Sequence, residues 1–152
     1  MKQYNVFVDG SYIKTSAVGG WSFIICDKDF NIIHKDFGKI RNGVQNSIRA
    51  ELEAVNMCLN HIKTLNKKSK FTIYCDYKNL VEAVNGFSQR KTNRDMWDMI
   101  EKSCGELNGR IKMVHILGHG KNKNPIYNDL NKIADKYARA GVNSLLKTPV
   151  KF

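Results

Sequence analysis

Two short apolar runs in this chain each stop on a carboxylate: "VFVD" reaches Asp9 and "TIYCD" reaches Asp76. Both alternate as strands do, so Val6 and Val8 face one way while Phe7 and Asp9 face the other. If the two strands are parallel neighbours, the aspartates lie about 5 Å apart at the carboxyl end of the sheet, where open α/β sheets bind ligands. Carboxylates that close raise each other's pKa unless a cation sits between them.

Glu51 is the third acid. In a helix expected over 47–63, Ile48, Leu52, Val55, Leu59 and Ile62 recur at helical spacing, and Glu51 shares a face with Val55, Cys58 and Ile62. Glu53 falls on the opposite, solvated side. A carboxylate on a packing stripe costs several kcal/mol unless something positive meets it. Arg49 or a lysine would make a structural ion pair; a metal ion would make a site. "NDLNKIADKYARAG" adds Asp129 and Asp135 on a last helix expected to stop at Gly141. Asp129, in the first turn, suits a cap on the helix dipole. Asp135 stands beside Ala134 and Ala138, small enough for close backbone approach. Oxygen-only ligation favours Mg²⁺ or Mn²⁺ over zinc, and two such ions about 4 Å apart suit in-line displacement at a phosphodiester.

Composition points to the same class of substrate. Twenty-five Lys and Arg against fourteen acids leave +11 over 152 residues, which implies a polyanionic partner, nucleic acid before a membrane surface. The plainer reading is charge that keeps the protein soluble. Cys26, Cys58, Cys75 and Cys104 have no metal-ligand spacing, and three of them lie in apolar runs that suit small core positions in a reduced, intracellular protein. No apolar run approaches the roughly 18 residues a membrane span needs. The start "MKQY" enters a strand directly, with no signal peptide expected ahead of it.

The elements that must position these acids follow in order. Strands are expected over "QYNVFVD", "GGWSFIICD", "FNIIHKDFG", "KFTIYCD" and "RIKMVHIL". Besides the helix at 47–63, helices are expected over "KNLVEAVNGF", over "TNRDMWDMIEKSCGEL" with Thr92 and Asp95 as a capping box, and over 128–141. "RNGVQNS" and "GHGKNKNPIY" read as loops, and 142–152 as a tail or short docking segment. The result is one α/β domain: strands one to three antiparallel, then a helical crossover that brings strand four back parallel to strand one.

The pieces "VDGSY" (8–12), "RAELEAV" (49–55), "YCDYKNLVEAV" (74–84), "LGHG" (117–120) and "NKIADKYARA" (131–140) stand in the order of the type 1 ribonuclease H family, which the chain resembles to about Gly141. The resemblance implies a five-stranded mixed sheet, strands four and five parallel to strand one, flanked by helices in a catalytic domain over 1–141. It implies endonucleolytic cleavage of the RNA strand of an RNA–DNA hybrid, leaving 5′-phosphate and 3′-hydroxyl ends, by a cytoplasmic monomer. It carries a tetrad for two Mg²⁺ ions, with Mn²⁺ as a substitute, onto Asp9, Glu51, Asp76 and Asp135. It carries a mobile catalytic His onto His119. Gly10, Ser11, Asn46, Ser47 and Asn131 match or neighbour the family's nucleic-acid contacts, and 2′-hydroxyls would be read in the shallow minor groove.

The chain also departs from the family's pattern. The stretch from His119 to Asp135 is longer than in most cellular members, as in some retroviral domains. A shorter alignment would put Asp129 in the tetrad, but "NKIADKYA" fits the motif around Asp135. Tyr77 stands where Ser is common. The basic handle helix is reduced to "SQRKTNRD", leaving Arg90, Lys91, Arg94 and nearby Trp97 as groove candidates. Two further classes share this fold: a hybrid- or RNA-binding module without chemistry, and another nuclease such as a junction resolvase or proofreading exonuclease. The four acids oppose the first, and the "DGS" turn and "GH" loop oppose the second.

Overall fold

A computed structural model describes residues 2–40, 46–86, 92–142 and 150–151. Its strands are β1 (Gln3–Ile13), β2 (Val18–Cys26), β3 (Ile32–Ile40), β4 (Lys70–Cys75) and β5 (Ile111–His115). Its helices are α1 (Ser47–Ile62), α2 (Lys78–Asn85), α3 (Arg94–Glu106) and α4 (Pro125–Val142). The expected mixed sheet is present, ordered β5-β4-β1-β2-β3, with β1 antiparallel to β2, β2 to β3, β1 parallel to β4 and β4 parallel to β5. One addition was not expected. Val150–Lys151, within the stretch read as a tail, form β6 against Phe37 and Asp36 at the free edge of β3.

The alternation of β1 sorts its side chains into two layers. Val6 and Val8 pack with Leu52, Val55 and Leu59 of α1, Leu80 of α2 and Ile100 of α3. Phe7 packs on the opposite face with Tyr74 and with Leu130 and Ala134 of α4. All of these are at most 7% exposed. The cysteines are free; Cys26, Cys58 and Cys75 are buried in the core and Cys104 is half-buried.

Four local expectations change. β1 does not end at Asp9 but runs on to Ile13, because β2 pairs with it throughout, Asp9 opposite Ser22 and Ile13 opposite Val18. β3 begins at Ile32 because the Asp27 carboxylate accepts from the N–H groups of Asp29 and Asn31, both at 2.9 Å, and keeps that stretch in a turn. α3 has no Thr92–Asp95 capping box. Its N-cap is Asn93, in left-handed backbone at φ 54°, and Asp95 is held by Arg49 instead. α4 starts at Pro125, with the Asn124 side chain accepting from Ile126 N–H at 2.9 Å, the arrangement expected for a cap followed by proline.

Gly141 does not stop α4. It lies inside the helix because the helix runs hard against the sheet there. A methyl group at Gly141 would overlap the Gly38 carbonyl, and one at Gly20 would overlap the Ala138 carbonyl. Small residues thus allow α4 to approach β2 and β3 backbone to backbone. Gly141→Ala should therefore destabilise the protein by about 2–3 kcal/mol in urea unfolding, although alanine in a free helix would gain about 1 kcal/mol. An unchanged or raised midpoint would show that the helix does not sit this close.

Candidate active site

Register brings the two strand aspartates together. Phe7 pairs with Tyr74 as the last rung of the parallel β1–β4 ladder, and Asp9 and Asp76 each lie two residues further along. Both therefore project to the α4 side. On that side Ser22, opposite Asp9, donates its hydroxyl to the Ala134 carbonyl at 2.6 Å. This bond fixes α4 one residue before Asp135.

Glu51 arrives from the other layer. Gly10 makes this possible: any side chain there would overlap the backbone of Ala50 and Glu51. The Gly10 N–H reaches both acids, Asp9 Oδ1 at 3.0 Å and Glu51 Oε1 at 3.2 Å. Glu51 Oε2 is sealed from solvent and has no hydrogen-bond partner among the described residues. Such an orphaned oxygen on a charged group is costly.

Among the described residues little offsets the cluster: Lys132 lines the cleft, and His119 and His115 act on Asp76. Arg49, the candidate for a structural ion pair with Glu51, instead binds Asp95 through both guanidinium nitrogens at 2.8 and 2.9 Å and lies 3.6 Å from Glu53. That pairing also leaves Glu53 half-buried rather than solvated. Among the described residues no ion pair reaches Asp9, Glu51 or Asp76, and Asp135 has only Arg139, at 3.0 Å on its outer side.

The carboxyl pKa values register this crowding. Burial raises Asp9 well above the usual range, and Glu51, Asp76 and Asp135 push it further. Burial, then Asp76, lifts Glu51 to about 8 against the opposing hydrogen bonds from Asp9 and Gly10. Asp76 is raised by burial and then by Asp135, with His119 and His115 pulling the other way. Asp135 is among the largest influences on all three, and Asp129 is not. Asp129 is exposed on the rim, and because α4 begins at Pro125 it lies beyond the first turn rather than capping it. Cys75 lies beneath, with ligand atoms of Glu51, Cys75 and Asp76 within 4.8 Å of one another. Burial and then Glu51 raise its thiol strongly, so the donors offered outward are carboxylate oxygens. A hard divalent cation fits such a set.

The acids open into a cleft of about 480 Å³ lined by Asp9, Asp76, His119, Asp129, Asn131 and Asp135, among others. Asn131 is 7% exposed and its buried Oδ1 has no partner among the described residues. His119 is exposed at the mouth, in left-handed backbone at φ 58°, followed by Gly120 at φ 72°. Gly118 lets Asp76 pass close by, since a side chain there would meet Asp76 Oδ2 at 3.3 Å.

A family model described as RNase H matches residues 1–143. The chain belongs to the RNase H family. Ribonuclease H of Caldicellulosiruptor saccharolyticus is 28% identical over 152 residues, covering 95% of this chain and 99% of that one. LC11-RNase H1, isolated from compost by a metagenomic approach, has been solved in complex with an RNA/DNA hybrid. In that complex it superposes with a TM-score of 0.74 at 18% identity, over 92% of this chain and 96% of that one. The PFV RNase H domain in solution gives 0.75 at 20% identity, over 94% and 96%. RNase H family members are hydrolytic nucleases.

The other residues named from the sequence lie along β1, α1 and α3. Ser11 is half-buried on β1 opposite Gly20. Asn46 is the N-cap of α1, its Oδ1 accepting from Arg49 N–H at 2.9 Å, and Ser47 beside it is exposed. Arg94 is exposed at the start of α3. Trp97 is 8% exposed and forms the wall of a groove with Ile48, Tyr77, Asn79 and Thr92. Ile48 therefore faces that groove, not the core stripe. Arg90 and Lys91 lie outside the described residues. Sequence reading passed over Asn122 and Asn128, which tie the His119 loop down. Their one visible trace was the density of asparagine in "KNKNPIYN".

These shifts have a definite sign. A carboxyl whose folded pKa is raised contributes full stability below its unfolded pKa and loses it as pH rises through the folded value. The metal-free protein should thus lose melting temperature between about pH 5 and pH 8. Glu51→Gln should flatten that slope and raise the metal-free Tm at pH 8 by about 4 °C, near 1 kcal/mol for a chain of this size. Added Mg²⁺ should restore wild-type stability at pH 8 and leave Glu51→Gln unmoved. Calorimetry with and without chelator reads all three outcomes.

Proposed function

We propose that this chain is an endonuclease that hydrolyses the RNA strand of RNA–DNA hybrids, leaving 5′-phosphate and 3′-hydroxyl ends. The observation that carries the reading is the mutual proximity of Asp9, Glu51, Asp76 and Asp135, three of them lining one cleft with Glu51 buried behind, in a strongly basic chain. Residues 1–141 serve as the catalytic unit, with 142–152 as an appended tail, and the protein works as a cytoplasmic monomer. Among the described residues, no helix is long and apolar enough to cross a membrane.

The four carboxylates would hold two Mg²⁺ ions, with Mn²⁺ able to substitute. Bound there, the ions supply the Lewis acidity that phosphodiester hydrolysis requires. The protein's own part is placement. Ser22 and Gly10 fix Asp135 and Glu51 against the strand aspartates. His119, at the cleft mouth, hands a proton through its imidazole to the departing 3′-oxygen of the RNA. Asn46, Ser47, Gly10, Ser11 and Asn131 contact the hybrid beside the cleft, with 2′-hydroxyls accepting and donating in the minor groove. Arg94, Arg90 and Lys91 meet phosphates of the DNA strand, which lies along the groove walled by Trp97.

A labelled hybrid incubated with Mg²⁺ tests this. Asp76→Asn should lower kcat by about 10³-fold or more, the scale of removing a charge that acts at the reacting centre. Equal cleavage by wild type and variant would remove the proposed site. Binding of the hybrid with no cleavage by either would leave a binding module. His119→Ala should slow turnover by about 10²-fold with KM within roughly twofold. Loss of binding instead would take the proton-transfer role from His119.

A further inference from the structure

We infer that Asn122 and Asn128 are positioning residues that hold His119 at the cleft; the inference rests on the catalytic role proposed for His119. Two side-chain amides replace backbone partners that the loop lacks. The Asn122 amide grips both polar groups of the Leu117 backbone, accepting from its N–H at 2.8 Å and donating to its carbonyl at 2.7 Å. The Asn128 amide then grips Asn122 in the same way, accepting from its backbone N–H at 2.9 Å and donating to its carbonyl at 3.0 Å. A fifth bond joins the amides, Asn122 Nδ2 to Asn128 Oδ1 at 2.9 Å.

The geometry links this clamp to the acids at both ends. Leu117 follows Ile116, whose N–H still bonds to the Cys75 carbonyl at 3.0 Å, so the loop's first anchor continues the sheet next to Asp76. Asn128 lies on α4 at positions i and i+7 with Asp135, and residues at that spacing share one helix face. The span Gly118–Lys121 is thus pinned between the strand that carries Asp76 and the helix face that carries Asp135. Within it His119 and Gly120 both occupy left-handed backbone. His119 lacks glycine's freedom there, so the bend needs external bonds to persist. Both amides are spent on main chain and on each other, and neither is needed to cover the core: Asn122 and Asn128 are only half-buried.

Hydrogen exchange and steady-state cleavage of the hybrid test this on the full chain. Asn122→Ala and Asn128→Ala should speed amide exchange of Leu117 and Asn122 by about 10-fold or more, leaving the β-strand amides unchanged. In the same variants kcat should fall about 10-fold with KM within roughly twofold, because displacing a proton-transfer group by about an ångström is enough for such a loss. Asn128→Asp keeps both acceptor bonds and loses one donor bond, so it should retain more kcat than Asn128→Ala. In a His119→Ala background the asparagine substitutions should change kcat by less than about twofold. Equal losses in both backgrounds, or unchanged exchange in the loop, would overturn the clamp. If the wild type fails to cleave the hybrid, the proposed function falls instead, and the exchange rates alone then decide whether the clamp exists.

Discussion

Mutual repulsion among Asp9, Glu51 and Asp76 is the constraint around which this fold is arranged. Each carboxylate is held where burial and its neighbours oppose ionisation. None can relax away cheaply. Asp9 sits within an unbroken ladder to β2, Asp76 follows directly on β4, and Glu51 belongs to a helix whose next turns are locked into the core. The close packing that surrounds them supplies the opposing free energy. The stacked rings of Phe7 and Tyr74, 4.7 Å apart, lie directly behind the two aspartates on their own face of the sheet. A less rigid scaffold would let the acids drift apart and lose the preorganised charge.

The distribution of charge makes sense beside that constraint. The chain carries +11 overall, yet its cleft is acidic. On the proposed reading a phosphate backbone is drawn to the surface at long range and repelled at the last few ångströms. Divalent cations held by the acids would reconcile the two, because they would reverse the sign of the cleft at the reacting phosphate. Arg49 illustrates how the separation is maintained. Two residues from Glu51, it faces another side of α1, and its bidentate hold on Asp95 keeps the guanidinium there and staples α1 to α3.

Periodicity made the acids legible. Alternation placed Asp9 and Asp76 on one face, and the 3.6-residue repeat placed Glu51 on the packing stripe of α1. Two of the failures share a cause, a partner distant in sequence. Thr92 and Asp95 had capping-box spacing, but Arg49, on another helix, captured Asp95. Gly141 had the look of a terminator, but the Gly38 backbone required it as a spacer within the helix. The first turn of α4 was missed although Asn124-Pro125 is a cap-and-start pair, because the surrounding polar residues suggested a loop. The amides of Asn122 and Asn128 bond to main chain, and such contacts leave no periodic trace.

The acids come from opposite sides of the sheet: Glu51 from α1 on one, Asp135 from α4 on the other, with the strand aspartates between. No partial assembly of this chain contains the whole set. An intermediate with only α1 docked, or only α4, has an incomplete cage with weak hold on a divalent ion. On the proposed reading, hydrolytic competence is therefore tied to the last docking event in folding, and a half-folded chain would leave hybrids intact.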